Sequence, residues 1–375
     1  MKTDYSFNKR QLLSLCSVML LAPALRIVPQ SSAEEAGRAG WISVLLSLPP
    51  LILYIYFLRS FLSRRQEGEG LGELVLRCLG DKIGRPALIF FALWFLVYGS
   101  FMLRSGADRM IASIYPKSSA EFFVITMGIS AVIASLGSER TLTRTARLLS
   151  PAVHIVLLIM LTAAAFKTES SNLLPLSAAD TLPALSASIP CLGVLVLPLY
   201  MSGFLSRLKK EERDSPRPAL LWAISSVLLL FWLNADIIGS FGPELTVRLS
   251  QPFFAMVRNL VFFRQLERVD ALVVSLWIFS DFILISVCIY AAQHCLRLAF
   301  GRETGFHGEI FADMSCGRWF IPLCGFIAIL GGLFLAPRPQ LFRLWSKRLI
   351  PSVNLITAFL LLPAVYAFGR KKGRI

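Results

Sequence analysis

The sequence predicts an all-α polytopic membrane protein with about ten transmembrane helices. Of its 375 residues, 55% are hydrophobic and only 16% are charged, and the mean hydropathy is +0.65. A water-soluble protein of this length does not carry so large an apolar fraction. The apolar residues also fall into stretches of about 20 residues, the length that a helix needs to cross the hydrocarbon core. We therefore expect one integral membrane domain over residues 1–375.

Short polar segments separate ten apolar stretches, and we interpret each stretch as one span. The third and eighth are about 30 residues long, or about 45 Å of helix, so they must tilt or project from the bilayer. The apolar segment Pro252–Phe263 is too short to cross, and we expect a helix at the membrane surface or over a cavity. The ten spans are Leu12–Pro29, Trp41–Leu58, Pro86–Tyr115, Glu121–Gly137, Leu149–Phe166, Ile189–Leu205, Ala219–Phe241, Asp270–Phe300, Trp319–Ala336 and Ile350–Phe368.

The positive charges predict the orientation of these spans. The net charge is +15, but Lys and Arg lie mostly between apolar runs, which suits anionic lipid headgroups and argues against nucleic acid. With the N-terminus inside, the inner segments hold more than twice as many Lys and Arg as the outer ones. Ten spans then place both termini on the cytoplasmic, core-facing side.

Prolines interrupt the first and the sixth span, which open the two halves of the chain. Pro23 and Pro29 lie in the first, and Pro190 and Pro198 lie in the sixth. Five spans followed by five place the halves in opposite orientations, as in an inverted repeat. We therefore expect a first repeat over about 12–166, a second over about 189–369, and broken helices in spans one and six.

Broken helices would place a ligand site at the middle of the membrane. Free amides and carbonyls near Ala22 and Pro23 in span one, and near Gly193 and Val194 in span six, would suit a zwitterion such as an amino acid. Tyr98, in the middle of span three, could reach the same ligand with its hydroxyl group. The alternative is a pair of simple proline kinks without a ligand.

Ionisable residues inside spans are costly and are candidates for gating or coupling. Arg26 lies near the outer end of span one, and Arg104 and Asp108 share one face of span three. These could equally form an interfacial pair with a snorkelling arginine beside it. Asp281 lies near the middle of span eight and Asp236 lies deep in span seven. Each could carry a proton, pair with a buried arginine or make a structural hydrogen bond, and Asp281 is also a candidate ligand contact.

Signatures of enzymes and metal sites are missing from the sequence. The seven cysteines form no Cys-x-x-Cys pair and no zinc spacing with histidine. No phosphate-binding loop, zinc-protease motif or nucleophile elbow occurs. We expect neither catalysis nor a metal or cofactor.

Four motifs, in order along nearly the whole chain, resemble those of the spore germination permeases. These are the B-type subunits of nutrient germinant receptors and a branch of the amino acid/polyamine/organocation transporter superfamily. Each motif is weak alone, and the four together are more specific. The matching stretches are Ala36–Leu46, which includes Trp41; Gly137–Arg147, with Glu139 and Arg144; Asn172–Pro175; and Leu266–Trp277, with Glu267 and Arg268.

The resemblance implies a LeuT-like five-plus-five fold with a pocket between helices one, three, six and eight. It also implies a receptor in the inner spore membrane that works with an A-type membrane subunit and a C-type lipoprotein. Glu139, Arg144, Glu267, Arg268 and Trp277 match its motifs, and we interpret them as topology and gating positions.

Three functions remain open at this point. The first is a nutrient sensor that binds a small ligand such as an amino acid at the broken helices and triggers germination with partner subunits. The second is an autonomous proton-coupled amino acid transporter with Asp281 or Asp236 as the proton carrier. The third is a membrane scaffold or conduit without a ligand of its own.

Overall fold

The computed structural model describes residues 9–66, 69–205, 215–260, 269–301 and 319–375, and these ranges contain helices but no strand. The helices are α1 (Lys9–Ala36), α2 (Gly40–Leu46), α3 (Leu48–Leu62), α4 (Leu71–Leu79), α5 (Asp81–Ser113), α6 (Ala120–Ser135), α7 (Glu139–Ala165), α8 (Thr181–Leu205), α9 (Arg217–Arg248), α10 (Pro252–Arg258), α11 (Val269–Phe300), α12 (Phe320–Leu335), α13 (Pro339–Leu344), α14 (Ile350–Ile356) and α15 (Leu362–Lys371).

These helices account for the predicted spans. Among the described residues, seven helical segments are long and apolar enough to cross a membrane, and one of them, Arg10–Leu62, holds both of the first two spans. The shorter apolar helices α6 and α12 occupy the positions of spans four and nine. Helices α13, α14 and α15 follow one another as one segment, joined by π-helical turns at Trp345–Leu349 and Thr357–Leu361. The all-α membrane fold is thus confirmed.

Helix α1 lies at the centre of the bundle. From Leu15 to Val28 almost every apolar side chain is buried, because α7, α8, α9 and α11 surround the helix. A helix that is apolar on every side is typical of such a position. Around it, the long helices α5 and α11 pack extensively along each other, with Gly99 of α5 against Cys288 of α11.

The expectation that spans one and six are broken is wrong for this structure. Helix α1 continues through Pro23 and Pro29, and α8 continues through Pro190 and Pro198. A proline removes only its own backbone donor, so the neighbouring hydrogen bonds still hold the helix. The two helices also pack closely along each other. Because the two helices are in close contact, an unwound stretch would leave several amide and carbonyl groups without partners.

Helix α10 confirms that the segment too short to cross the membrane forms a short helix. It begins at Pro252 and ends at Arg258, and positions 261–263 of the predicted segment lie outside the described residues. Its two phenylalanines are buried and contact Trp277 of α11, with ring centroids 5.1 Å and 6.1 Å away. Helix α10 therefore covers one end of α11.

Candidate functional site

The predicted ligand contacts of spans one and six lie in a closely packed core. Ala22 is fully buried, Val194 is 1% exposed, and Pro23 and Gly193 are buried as well. A Cβ atom added at Gly193 would lie 2.7 Å from the carbonyl oxygen of Pro351. Gly193 therefore permits a close approach, as expected for a glycine. In this conformation the group that approaches is the backbone of α14.

A buried polar network crosses the bundle beside Gly193. Asn354 of α14 donates through Nδ2 to the Gly193 carbonyl oxygen at 2.9 Å. Its Oδ1 accepts from the Tyr200 hydroxyl at 2.8 Å and from Trp94 Nε1 at 3.2 Å. Trp94 Nε1 also lies 3.1 Å from the Tyr200 oxygen. The network joins α5, α8 and α14, and such fully satisfied networks favour one packing arrangement.

Sequence reasoning missed this network. A lone Asn354 in the apolar run of the last span was the available signal, since a buried amide requires partners. Tyr98 is adjacent on α5 and is fully buried, with its ring 6.4 Å from Trp94 and 6.2 Å from Phe101. No hydrogen bond of its hydroxyl occurs among the described contacts.

The predicted gating residues Arg26, Arg104 and Asp108 meet between α1 and α5. Arg26 Nη1 lies 3.4 Å from Asp108 Oδ2 and 3.4 Å from the Ser105 hydroxyl. Arg104 Nη1 pairs with the other oxygen of Asp108, one helical turn away. The side chains of Arg26 and Arg104 are 6% and 9% exposed. Their burial favours a bundle-facing group over a snorkelling arginine.

A second ion pair joins α5 to α11. Arg109 Nη1 contacts Asp281 Oδ2, and the two side chains are 1% and 0% exposed. Pairing with a buried arginine was one of the roles expected for Asp281, and Arg109 is that partner. A buried charge without such a partner is strongly destabilising.

Aromatic rings cover the arginines of all three ion pairs. The guanidinium carbons of Arg26 and Arg104 lie 4.3 Å and 5.3 Å from the ring centroid of Phe342 on α13. The guanidinium carbon of Arg109 lies 5.5 Å from the ring of Phe254 on α10. Contacts of this kind are favourable and exclude water. We call Arg26, Arg104, Asp108, Arg109 and Asp281 the arginine cluster.

Asp236 is not among the contacts of the arginine cluster. Its Oδ1 accepts a hydrogen bond from the Thr168 hydroxyl at 3.1 Å, and its Oδ2 has no described partner. Nearby in sequence, Asn234 Nδ2 donates to Ser32 Oγ at 2.7 Å and to the Gly40 carbonyl oxygen at 2.9 Å. These bonds hold α9 against α1 and the first residue of α2.

The opposite end of the bundle is closed by α4 and the C-terminal segment. His294 Nε2 of α11 lies 3.3 Å from Glu73 Oε1 of α4. Arg374 donates through Nη1 to the Cys78 carbonyl oxygen at 3.1 Å. Burial raises the pKa of the Cys78 thiol on α4 to about 11, so this thiol stays protonated near neutral pH.

The motif residues are distributed over several places. Trp277 is fully buried beneath α10, Glu139 begins α7, and Arg144 lies exposed on the same helix. Glu267 and Arg268 lie outside the described residues. Within the part of the chain that is described, no three His, Cys, Asp or Glu side chains are grouped so as to hold a metal ion.

Solved transporter structures share this fold. A Na+-coupled sialic acid symporter, in its substrate-bound outward-open state, aligns with a TM-score of 0.61 and 11% identity, over 94% of this chain and 78% of the symporter. Mhp1, a nucleobase-cation-symport-1 family transporter in a closed conformation with bromovinylhydantoin bound, aligns with a TM-score of 0.53 and 13% identity, over 96% and 93% of the two chains. This similarity confirms a LeuT-like fold.

Sequence comparison identifies the family. "Putative spore germination protein YfkT" of Bacillus subtilis (strain 168) is 23% identical over 362 residues, which cover 94% of this chain and 93% of YfkT. A family model described as spore germination protein, the spore permease family, matches residues 6–304. The chain is therefore an integral membrane protein that belongs to the spore germination permease family.

Proposed function

We propose that this protein is the nutrient-sensing, permease-like subunit of a germinant receptor. One observation carries the proposal. Five charged side chains from α1, α5 and α11 meet inside the bundle and are covered by rings from α10 and α13. Helices that do not need to respond to a ligand would pack with apolar residues there at lower cost.

In the proposed mechanism, the arginine cluster reports ligand binding to the rest of the bundle. Its ion pairs join α1 to α5 and α5 to α11, so any relative movement of these helices changes them. A small ligand that favours one arrangement of the helices shifts the population towards that arrangement. We expect Ala22, Pro23, Tyr98 and Val194 to contact the ligand in an open conformation, with Gly193 released from Pro351.

The remaining elements of the proposal concern place and partners. Membership of the spore germination family supports a position in the inner spore membrane, with both termini facing the core. The signal would pass to an A-type membrane subunit and a C-type lipoprotein. An amino acid is the nutrient that we expect, because it carries both charges and the arginine cluster holds both cationic and anionic groups.

Germination of spores that lack this chain tests the proposal. Wild-type, deletion and complemented spores are exposed to a panel of single amino acids, and the fall in optical density is followed. We expect the deletion to abolish the response to at least one amino acid and complementation to restore it. Equal responses of the three strains to every nutrient, alone and in mixtures, would contradict a sensing role.

Proton-coupled transport is the second candidate, because the structurally similar proteins are transporters and Asp281 is buried near the middle of α11. Uptake of radiolabelled amino acids into proteoliposomes separates the two functions. Accumulation driven by a pH gradient, without partner subunits, supports the transporter. Saturable binding without accumulation supports the sensor.

A further inference from the structure

The arginine cluster contains more positive than negative charge. Three arginines face two aspartates, and four of these five side chains are at most 9% exposed. Only Asp108, with 23% of its side chain exposed, retains appreciable contact with solvent. Because an uncompensated charge inside a membrane protein is costly, the excess cation requires an anionic partner.

Arg109 has an unused hydrogen-bonding edge. Its Nη1 pairs with Asp281, whereas its Nε and Nη2 are buried without a partner among the described residues. Nε and Nη2 lie side by side on the guanidinium plane, and such an edge binds both oxygens of a carboxylate at once. The Nε atoms of Arg26 and Arg104 are also buried without a partner.

Leaving such donors unpaired inside the bundle is expensive. A buried charged group without its hydrogen-bond partner loses its hydration without compensation. Four guanidinium nitrogens in one cluster are in this situation. Unsatisfied groups gathered around an excess positive charge are typical of an anion site.

We infer that the arginine cluster is a carboxylate-binding subsite, with the Nε–Nη2 edge of Arg109 as its anchor. This inference rests on the proposed function and names the ligand class: small molecules with a free carboxylate. Arg26 and Arg104 neutralise the ligand charge, and Asp281 orients Arg109. Asp108 pairs with both of the other two arginines and leaves one positive charge uncompensated when the subsite is empty.

The surroundings favour a small carboxylate over a lipid phosphate. Phe342 covers Arg26 and Arg104, and Phe254 covers Arg109, so the cluster lies behind aromatic rings. A lipid headgroup would have to keep its acyl chains in the bilayer while its phosphate passed these rings. A small acid needs only a transient opening, and its carboxylate matches the planar edge of Arg109.

Thermal unfolding of the purified full chain in detergent tests the subsite. The probes are sodium acetate, sodium chloride, and uncharged acetamide in sodium chloride, and the three solutions have the same ionic strength. We expect acetate to raise the unfolding midpoint above that in chloride, and acetamide to have no effect. Equal effects of acetate and chloride would indicate non-specific screening and would overturn the inference.

Two variants distinguish the contribution of the Nε–Nη2 edge of Arg109 from that of the net charge of the arginine cluster. In Arg109→Gln/Asp281→Asn both partners of the ion pair are removed, so no unpaired charge is created and the cluster keeps its excess of one cation. We expect this variant to need roughly tenfold more acetate or to lose the response, because a bidentate charged contact disappears. Arg109→Lys keeps the charge without the planar edge, and we expect it to be weakened as well.

Arg248→Gln is the matched control, because Arg248 is an exposed arginine at the end of α9. Its acetate response should equal that of the wild type. A wild-type response in Arg109→Gln/Asp281→Asn would overturn the inference. Stabilisation by phosphatidylglycerol micelles, lost in the double variant and not reproduced by acetate, would assign the subsite to lipid and also overturn it.

Spore assays separate this inference from the proposed function. Spores are given each amino acid or its α-amide, which lacks the carboxylate. Responses to the acids alone support the inference, whereas equal responses to acids and amides contradict it and leave nutrient sensing intact. Conversely, an Arg109-dependent acetate response in the purified chain, with no germination defect in the deletion strain, contradicts only the proposed function.

Discussion

Single side chains decide how tightly the centre of this bundle can pack. Gly193 of α8 faces the backbone of Pro351 on α14, and its carbonyl oxygen accepts from Asn354. A hydrogen atom in place of a side chain allows both contacts at once. In the closed conformation, therefore, Gly193 acts on helix packing, and ligand contact at this residue requires α8 and α14 to separate.

Replacing Gly193 by alanine tests this interpretation. The new Cβ would lie 2.7 Å and 2.8 Å from backbone atoms of Pro351, so α8 and α14 must move apart. Overpacking of this kind costs about 1–3 kcal/mol, and we expect a lower unfolding midpoint in detergent. Gly203→Ala is the control, because its nearest neighbour is the flexible side chain of Leu71 at 3.3 Å. Equal midpoints for wild type and Gly193→Ala would refute the packing role.

At the scale of helices, α10 and α13 close the end of the bundle that holds the arginine cluster. Each contributes a phenylalanine ring that lies over guanidinium groups, Phe254 from α10 and Phe342 from α13. Helix α10 has only seven residues, so its position depends on buried contacts more than on its own helix stability. Such an element can move without unfolding the long helices.

Truncation of Phe254 should open this end. We expect Phe254→Ala to raise the labelling rate of a cysteine at position 105 severalfold, because Ser105 is only 1% exposed and contacts Arg26 of the arginine cluster that these rings cover. The measurement is maleimide labelling of membranes, quantified by mass spectrometry on the peptide with position 105. Phe326→Ala, which alters a 59% exposed side chain of α12, should leave the rate unchanged. Equal rates in all three proteins would show that α10 does not control access.

For the molecule as a whole, apolar surface and charge place the bundle in the membrane. Large apolar side chains remain exposed on the outer helices, as expected where lipid replaces water. They include Leu53, Ile133, Leu185 and Phe326. Lysines and arginines are more frequent in the segments that face the N-terminal side, which predicts a cytoplasmic N-terminus.

The orientation is testable with two exposed serines that lie at the two ends of α6. Ser118 precedes α6 and Ser138 precedes α7. We expect Ser118→Cys to react with a membrane-impermeant maleimide added outside intact cells, and Ser138→Cys to react only after permeabilisation. The reverse pattern would show that the protein has the opposite orientation. Labelling of both cysteines from outside would show that α6 does not cross the membrane.

Much of the fold was predictable from the sequence, because membrane helices are set by local properties. The apolar runs predicted ten spans, and the helices follow them, although α1 extends to Ala36 and α8 begins at Thr181. The prolines led to the wrong expectation of broken helices. The position of a proline predicts which backbone donor is missing but not how the surrounding helix is held together. Close packing of α1 against α8 favoured continuous helices over unwound ones.

Composition, span length and charge distribution determined by themselves that this protein is an all-helical membrane protein, because the bilayer acts on each segment separately. Only the tertiary structure decided that Arg109 meets Asp281, that Asn354 bridges α8 and α5, and that Asp236 turns to Thr168 instead. These contacts join residues that are 68 to 260 positions apart in the chain. Their meeting depends on how the helices pack, which no local pattern in the chain specifies.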